Sequence, residues 1–468
     1  MSLSGSIPGG EAPATAAETR SLATHGTAPE IWRDEAMAPS LPEVYRSLHV
    51  PSTGGFLKKM LAFAGPGFLI SVGYMDPGNW ATDLAGGSKY SYTLLSVILI
   101  SNLMAVLLQS LCVKLGLVTG RDLAQACRAR YSRPVSLGLY GLAEIAIAAC
   151  DLAEIIGSAI ALNLLFHIPL LWGVCLTGLD VFLLLLLQER GFRYIEALVV
   201  SLIALVGVCF GLEILFSHPD LAGIAKGFLP VPQIVSDPGM LFIAISILGA
   251  TVMPHNLYLH SALVQTRKVE RTPEALREAV RFLQIDSAVA LTIALFINAA
   301  ILIVSAATFY RSGHNHVAEI QDAHKLLSPL LGVTGASTLF AVALLAAGQN
   351  STLTGTLAGQ VVMEGFLSIR LKPWLRRVLT RGVAIVPAIV VTAAYGTSGT
   401  AKLLLYSQVV LSMQLSFAVF PLIMLTSDKS KMGEFVNGTW LKGLSWSIGI
   451  LIAALNGWLL VQAFSSKF

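Results

Sequence analysis

Charge is what this sequence has least of. Asp, Glu, Lys and Arg make up 12% of its 468 residues, against about 25% in a soluble globular protein. Such a chain cannot cover a water-facing surface with polar groups. Cysteine is also scarce. Cys112, Cys127, Cys150, Cys175 and Cys209 form an odd set without CxxC spacing, which reads as free thiols and not as a disulfide frame or a zinc site. No P-loop, dinucleotide fingerprint or nucleophile elbow is present. The sequence therefore points to no enzyme, and neither a resident cofactor nor a nucleic-acid partner is expected.

Apolar residues are abundant: 55% of the chain is hydrophobic and its mean hydropathy is +0.72. They come in runs of about 20, each long enough to cross a hydrocarbon core of about 30 Å. Inside lipid the backbone must satisfy its own hydrogen bonds, which favours helices. A β-barrel would need alternating polarity, and LLLYSQVVLSMQLSFAVFPLIMLT at 403–426 does not alternate. The expected fold is an all-α polytopic membrane protein. Residues 1–57 are polar, lack an apolar stretch, and read as a disordered tail without a targeting signal. Eleven spans follow, near 61–86, 92–117, 137–163, 169–187, 194–216, 238–264, 283–309, 333–363, 381–396, 401–425 and 443–464.

Lys and Arg set the orientation. With the N-terminus in the cytoplasm, about 24 of the 31 basic residues fall in the tail and in the loops 121–133, 190–193, 267–281, 370–381 and 429–442. The opposite side holds only Lys89, Lys226, Arg311, Lys325, Lys402 and Lys467. One miscounted span would destroy this asymmetry. An odd span number also leaves the C-terminus outside.

Two spans are interrupted. The first carries Asp76-Pro77-Gly78-Asn79 in its middle, and the sixth carries Met253-Pro254-His255. Proline removes a helical donor and clashes with the preceding turn, so each helix should unwind there. Each broken span opens a five-helix block, 61–216 and 238–425, and the blocks have opposite orientation. Matched broken helices in inverted repeats are the best pointer in a sequence to a mid-membrane binding site. The core then covers 58–425, and 426–468 adds a peripheral eleventh helix.

An aspartate at the bilayer centre is costly without a partner. Asp76 supplies a carboxylate, Asn79 an amide oxygen, and unwinding frees main-chain carbonyls. Across the gap Met253 offers a thioether. Hard oxygens suit many cations, but a thioether is a donor that Mg²⁺ and Ca²⁺ do not seek. The mixture points to a first-row divalent ion. In the third span Asp151 and Glu154 share a helix face, and Glu144 lies seven residues earlier on the same stripe. Three carboxylates on one membrane helix suggest a proton or ion route, although Glu144 could equally belong to a structural ion pair. His255, a residue type that changes charge near neutral pH, sits beside the proposed ion. Asn102, Gln109 and Asn298 could line a vestibule or simply bond between helices.

Asp76-Pro77-Gly78-Asn79 and Met253-Pro254-His255-Asn256-Leu257-Tyr258-Leu259-His260-Ser261 resemble the Nramp family of metal-ion/proton symporters. So do Asp151-Leu152-Ala153-Glu154 and AAGQNSTLTGTLAGQVVMEGF at 346–366. The resemblance covers nearly everything from about residue 60 onward. It implies a LeuT-like inverted repeat of 5+5 helices plus one more. It implies metal ligands at Asp76, Asn79 and Met253, main-chain carbonyls at Gly73 and Ala250, and Gln408 reaching the metal in occluded states. Gly73 departs from the more usual alanine. The resemblance further places Asp151, Glu154, His255, Arg376 and Arg377 in the proton path and its gate. The implied activity is import of Mn²⁺, with Fe²⁺ and Cd²⁺ as further cargo, driven by protons across a bacterial plasma membrane.

Three other readings are weaker. A membrane zinc protease would need His255 and His260 four apart with a Glu between them, and they are five apart. A Mg²⁺ or Ca²⁺ carrier would not use Met253, nor would a sodium-coupled amino-acid symporter of the same fold.

Overall fold

The computed structural model describes residues 38–465 apart from 43, 52–53, 178–191, 316, 318, 370–371, 373–374, 376–381, 383–384, 391–392 and 395–399. In chain order the principal helices are α1 (Phe56–Phe63), α2 (Pro66–Ser71), α3 (Pro77–Tyr90), α4 (Leu95–Thr119), α5 (Leu123–Arg130), α6 (Arg133–Phe166), α7 (Leu170–Thr177) and α8 (Phe192–Ser217). After the short α9 (Leu221–Gly227) and α10 (Gln233–Ser236) come α11 (Pro238–Thr251), α12 (Pro254–Leu263), α13 (Pro273–Ser305), α14 (Ile320–Leu331), α15 (Ala336–Leu367) and α16 (Thr400–Thr426). The short α17 (Lys429–Met432) and α18 (Thr439–Ser465) end the chain. Among the described residues the only sheet is a parallel bridge of β1 (Leu48–His49) with β2 (Arg267–Lys268).

Both expected breaks are present. In the first span a 3-10 turn over Val72–Met75 runs into Asp76, whose backbone is extended, and α3 begins at the next residue. In the sixth, Val252 and Met253 leave helical geometry between α11 and α12. Each proline takes the first position of the second helix, where its missing N–H costs nothing. Its ring drives the preceding residue out of the α region, so the break falls just before the proline. The first span has a second bend, of 48°, between α1 and Pro66–Met75. Gly65 sits at that bend with φ +138, and a Cβ there would strike the Glu196 carboxylate and the Arg267 guanidinium. Only glycine meets both demands.

The broken spans lie at the centre. α3 packs on α6, α11, α13 and α16, and α12 on α4, α6, α15 and α16. The apolar window of the sixth span is 94% buried within the protein, against 33% in α8 and in α18. The peripheral helices turn large apolar side chains outward, such as Val208 and Leu215 on α8 and Ile450 and Trp458 on α18. In water such patches would drive association; here lipid is the matching solvent.

Seven helical stretches among the described residues are long and apolar enough to cross a membrane, and the bent pair at the start makes an eighth. One of the seven joins α3 and α4 through a turn at Ser91–Leu94, where the sequence reading divides two spans. α15 spans 32 residues, but its Gly348–Thr356 stretch is too polar for the same test. The expected fourth span is described only over α7, and in the ninth residues 381, 383–384, 391–392 and 395–396 lie outside the described residues.

One end of the bundle collects basic side chains. Arg267 is buried; its guanidinium donates to Glu196 at 2.7 Å and to the Ala64 carbonyl. Arg193 pairs with the second Glu196 oxygen at 3.0 Å. From α13, Asp286 accepts from the N–H groups of Gly65 and Gly67, capping the start of α2. This clamp holds the first span shut against α8 and α13.

The expected tail over 1–57 ends in an ordered strap. Ser40 donates to Asp122 at 2.7 Å, the Leu41 N–H donates to Glu364, and Gln125 donates to the Ala38 carbonyl. The Arg46 N–H bonds the Gln265 carbonyl, and β1 pairs with β2 just beyond. Leu41 is buried, with Val44 and Leu48 packed partly against the core. Burial and the neighbouring Glu364 push the Asp122 carboxyl up to about 6, the Ser40 and backbone hydrogen bonds opposing them.

Candidate metal site

Asp76 is the N-cap of α3. Its Oδ1 accepts from the Asn79 N–H at 2.9 Å, satisfying a free donor at the helix start. The Asn79 side chain folds back over the same carboxylate. Its Nδ2 donates to Asp76 Oδ1 at 2.6 Å, to the Ala250 carbonyl at 3.1 Å and to the Gly73 carbonyl at 3.3 Å. Three oxygens from the two broken spans thus converge on one point, which a donor-only NH₂ group fills. A half-turn of the amide puts Oδ1 there instead. The carbonyls of Gly73 and Ala250 come from ends of half-helices, which carry partial negative charge, while Asp76 faces the positive start of α3.

Met253 is fully buried and caps α12 with an extended backbone. Its sulfur lies 3.3 Å from the point where a Cβ on residue 73 would stand. Ala146, Cys150 and Leu411 pack around it. Gln408, from α16, lies across the first turn of α3, where a Cβ on Gly78 would run into its amide. Several buried polar atoms here have no hydrogen-bond partner within the protein: Asp76 Oδ2, Gln408 Oε1, Asn298 Oδ1, and both ends of the Asn256 amide. Unmet buried groups cost about 1–3 kcal/mol each, so their clustering marks a chamber shaped for a polar guest. Among the described residues no three His, Cys, Asp or Glu side chains gather as a metal cluster; the donor set here is one carboxylate with amides, carbonyls and a thioether.

The proton candidates lie next door. Asp151 and Glu154 on α6 are buried and face α15 at Gly355, where a Cβ would stand 3.1 and 3.0 Å from their oxygens. Cys150 links the two regions, touching Met253 on one side and lying 3.6 Å from Glu154 Oε1 on the other. Glu144 is half-buried two turns earlier on α6. His255 opens α12, and its Nδ1 has no partner within the protein. Arg376 and Arg377 lie outside the described residues.

The structure adds a polar chain with no counterpart among the expected site residues. Gln109 donates to the Tyr74 hydroxyl at 3.0 Å and meets His260 Nδ1 at 2.9 Å, and His260 Nε2 meets Ser287 at 3.2 Å. Asn298 touches the site itself, donating to the Tyr74 carbonyl at 2.7 Å and to Asn79 Oδ1 at 3.3 Å. Their polarity inside apolar helices was the available signal, and hydrogen bonding between helices is the role the geometry shows.

Residues 67–462 match the family described as natural resistance-associated macrophage protein-like, Nramp. The chain belongs to the Nramp family. A divalent metal cation transporter MntH from Nostoc sp. is 65% identical over 425 residues, covering 91% of this chain and 96% of that one. The crystal structure of an Eremococcus coleocola manganese transporter, in complex with an aromatic bis-isothiourea substituted compound, superposes with a TM-score of 0.84. It shares 44% identity over 90% of each chain. A nucleobase-cation-symport-1 family transporter in a closed conformation superposes at TM-score 0.56 with 16% identity, covering 85% of this chain and 91% of that one, a likeness of fold alone. This Nramp chain is thus an all-α polytopic membrane protein with the LeuT-like inverted repeat.

Proposed function

We propose that the chain is a proton-coupled secondary transporter that imports divalent transition-metal ions by alternating access. Mn²⁺ is its first cargo, with Fe²⁺ and Cd²⁺ also carried. The supporting observation is the convergence of Asp76, Gly73 and Ala250 oxygens on the Asn79 amide, beside the Met253 sulfur. The relatives are named for divalent metal cations and manganese, and they are transporters, not enzymes.

The Asn79 amide works as a placeholder. With no ion, its NH₂ group neutralises part of the oxygen-rich point. An arriving cation displaces it, the amide turns, and Oδ1 becomes a ligand while Nδ2 swings towards Asn298, whose Oδ1 is free to accept. Gln408 closes over the ion from α16. Cation binding competes with protonation of Asp76, so a proton leaves that carboxylate as metal enters. Cys150 packs between Met253 and Glu154, so the third-span carboxylates lie beside the metal chamber. We assign Asp151, Glu154, His255 and Glu144 to the proton route, and by family resemblance Arg376 and Arg377 to the route and its gate.

The clamp of Arg267, Glu196 and Asp286 closes the basic end of the bundle. By the distribution of Lys and Arg that end faces the cytoplasm of a bacterial cell, with the C-terminus outside. Purified protein in liposomes, offered a panel of metals with internal pH recorded, tests the reading directly. Mn²⁺ entry with internal acidification is expected; entry of amino acids with Na⁺, or of Mg²⁺ alone, would overturn it.

Asp151→Asn separates the two fluxes. It keeps size and hydrogen bonding while removing titration. Mn²⁺ should still enter, with clearly fewer protons per ion. An unchanged ratio would make this carboxylate structural.

A further inference from the structure

The last helix carries a polar group that packing in lipid does not call for. α18 runs along α16 and touches α11, and only 33% of its apolar window is buried. Asn456 on this helix is buried. Its Nδ2 donates to the Ser412 carbonyl of α16 at 2.7 Å, and its Oδ1 accepts from the Ser412 hydroxyl at 2.9 Å. The carbonyl can only accept, which fixes the amide's orientation and leaves its oxygen for the hydroxyl. Elsewhere on α16, Ser407 and Thr426 bond back to carbonyls of their own helix, as a helical hydroxyl commonly does. Ser412 gives its hydroxyl to another helix instead. Both ends of one buried amide are thus devoted to a single residue.

The position of that residue supplies the reason. Ser412 stands one turn after Gln408, on the same face of α16. A Cβ on Gly249 of α11 would run into the Gln408 carbonyl oxygen and lie 2.8 Å from the Ser412 Cβ. The backbones of α11 and α16 therefore touch one residue before Ala250, whose carbonyl accepts from Asn79 at 3.1 Å. The Gln408 side chain lies across the first turn of α3, with its Oε1 unpartnered within the protein. A site holds its geometry only when its groups are fixed to within about 0.5 Å. A small roll or slide of α16 would carry the Gln408 amide off the chamber, and Asn456 grips that helix one turn away.

We propose that Asn456 is a positioning residue for Gln408: by taking both the hydroxyl and the carbonyl of Ser412, it holds α16 against Gly249 and sets the Gln408 amide over the metal chamber. The inference rests on the metal-transport reading, in which Gln408 closes over the ion. It gives the eleventh helix, which stands outside the 5+5 repeat, a part in metal binding without any contact to the metal.

Mn²⁺ uptake into proteoliposomes tests this with Asn456→Leu, Ser412→Ala, Gln408→Leu and the double variant Asn456→Leu/Gln408→Leu. Leucine at 456 has similar volume and no amide, and should raise the half-saturating Mn²⁺ concentration about tenfold. Ser412→Ala is a milder change that removes only the hydroxyl, and should raise it about threefold. Gln408→Leu should raise it at least as far as Asn456→Leu, and the double variant should be no worse than Gln408→Leu alone, because both act through one amide. Ile452, fully buried one turn earlier on α18, is the control: Ile452→Val loosens the helix packing and should leave the Mn²⁺ value at the parent level. Stabilisation by added Mn²⁺ in thermal unfolding, which needs no transport, should shrink in Asn456→Leu and persist in Ile452→Val. Additive losses in the double variant, or equal shifts for Asn456→Leu and Ile452→Val, would overturn the assignment. Asp76→Asn in the same series keeps the two readings apart. If it still carries Mn²⁺, the site itself is wrong; if it is inactive while Asn456→Leu and Ser412→Ala match the parent, only the role of Asn456 fails.

Discussion

Asp76→Asn should give a folded, membrane-inserted protein that takes up essentially no Mn²⁺, a loss of at least about a hundredfold. The side chain has two jobs in the structure. It caps α3 through the Asn79 N–H, and it brings a carboxylate to the point where the Gly73 and Ala250 carbonyls meet. Asparagine caps a helix as well as aspartate does, so the first job survives and the charge alone is lost. Asp76→Ala removes both and should cost about 1 kcal/mol more in helix stability from the missing cap. Against that, losing a charge at the bilayer centre relieves a burial penalty. Both variants should therefore appear in the membrane at ordinary levels, and both should be inactive. Near-normal Mn²⁺ uptake by Asp76→Asn would show that the ion does not need this carboxylate.

Substitution of Met253 should change which ions pass. Sulfur is a poor ligand for Mg²⁺ and Ca²⁺, which prefer oxygen. It is acceptable to Mn²⁺ and better still for Cd²⁺. A hard ion entering this chamber trades a water oxygen for a sulfur, and that penalty is a means of rejection. Met253→Ala makes room for water, so it should keep substantial Mn²⁺ uptake, lose much Cd²⁺ uptake and admit Ca²⁺ or Mg²⁺. The side chain also fills space among Ala146, Cys150 and Leu411, and a Met→Ala cavity costs about 2–5 kcal/mol. Met253→Leu controls for that, because a volume-conserving swap costs less than about 1.5 kcal/mol. Leucine offers neither sulfur nor room for water, so it should be stable and poor with every metal. Uptake of Mn²⁺, Cd²⁺ and Ca²⁺ side by side, with thermal unfolding of each variant, decides the matter. Uniform loss in Met253→Ala together with normal transport by Met253→Leu would leave the sulfur a packing group.

The breaks were legible because proline and a lone aspartate stand out inside apolar runs, and Asp76 and Met253 mark them to within a residue. The three oxygens around Asn79 were legible only through family resemblance, since a backbone carbonyl has no signature in a side-chain sequence. Asn256 stands in the family motif, but the burial of its amide without a partner within the protein was not legible. α12 is buried on every side, so no polar face of regular period shows which of its residues points where. The clamp at Arg267 and the chain from Tyr74 to Ser287 depend on groups 27 to 203 residues apart meeting in space, as with the contact of Gly65 and Asp286. The strap was hidden for another reason: Leu41, Val44 and Leu48 are too few, and too mixed with Ser and Pro, to stand out from a disordered tail.

That strap bears on how the two broken spans can move. β1 comes just before α1, β2 comes just after α12, and the bridge between them joins the entrance of one broken span to the exit of the other. Arg267 of β2 also holds the Ala64 carbonyl at the end of α1. A lever pushed at either span therefore pulls on its partner through the backbone, without any ion between them. The two halves are coupled mechanically in series through Arg46, β1 and Arg267. Loading the chamber need not carry the whole signal from one span to the other, because the chain already ties their ends together.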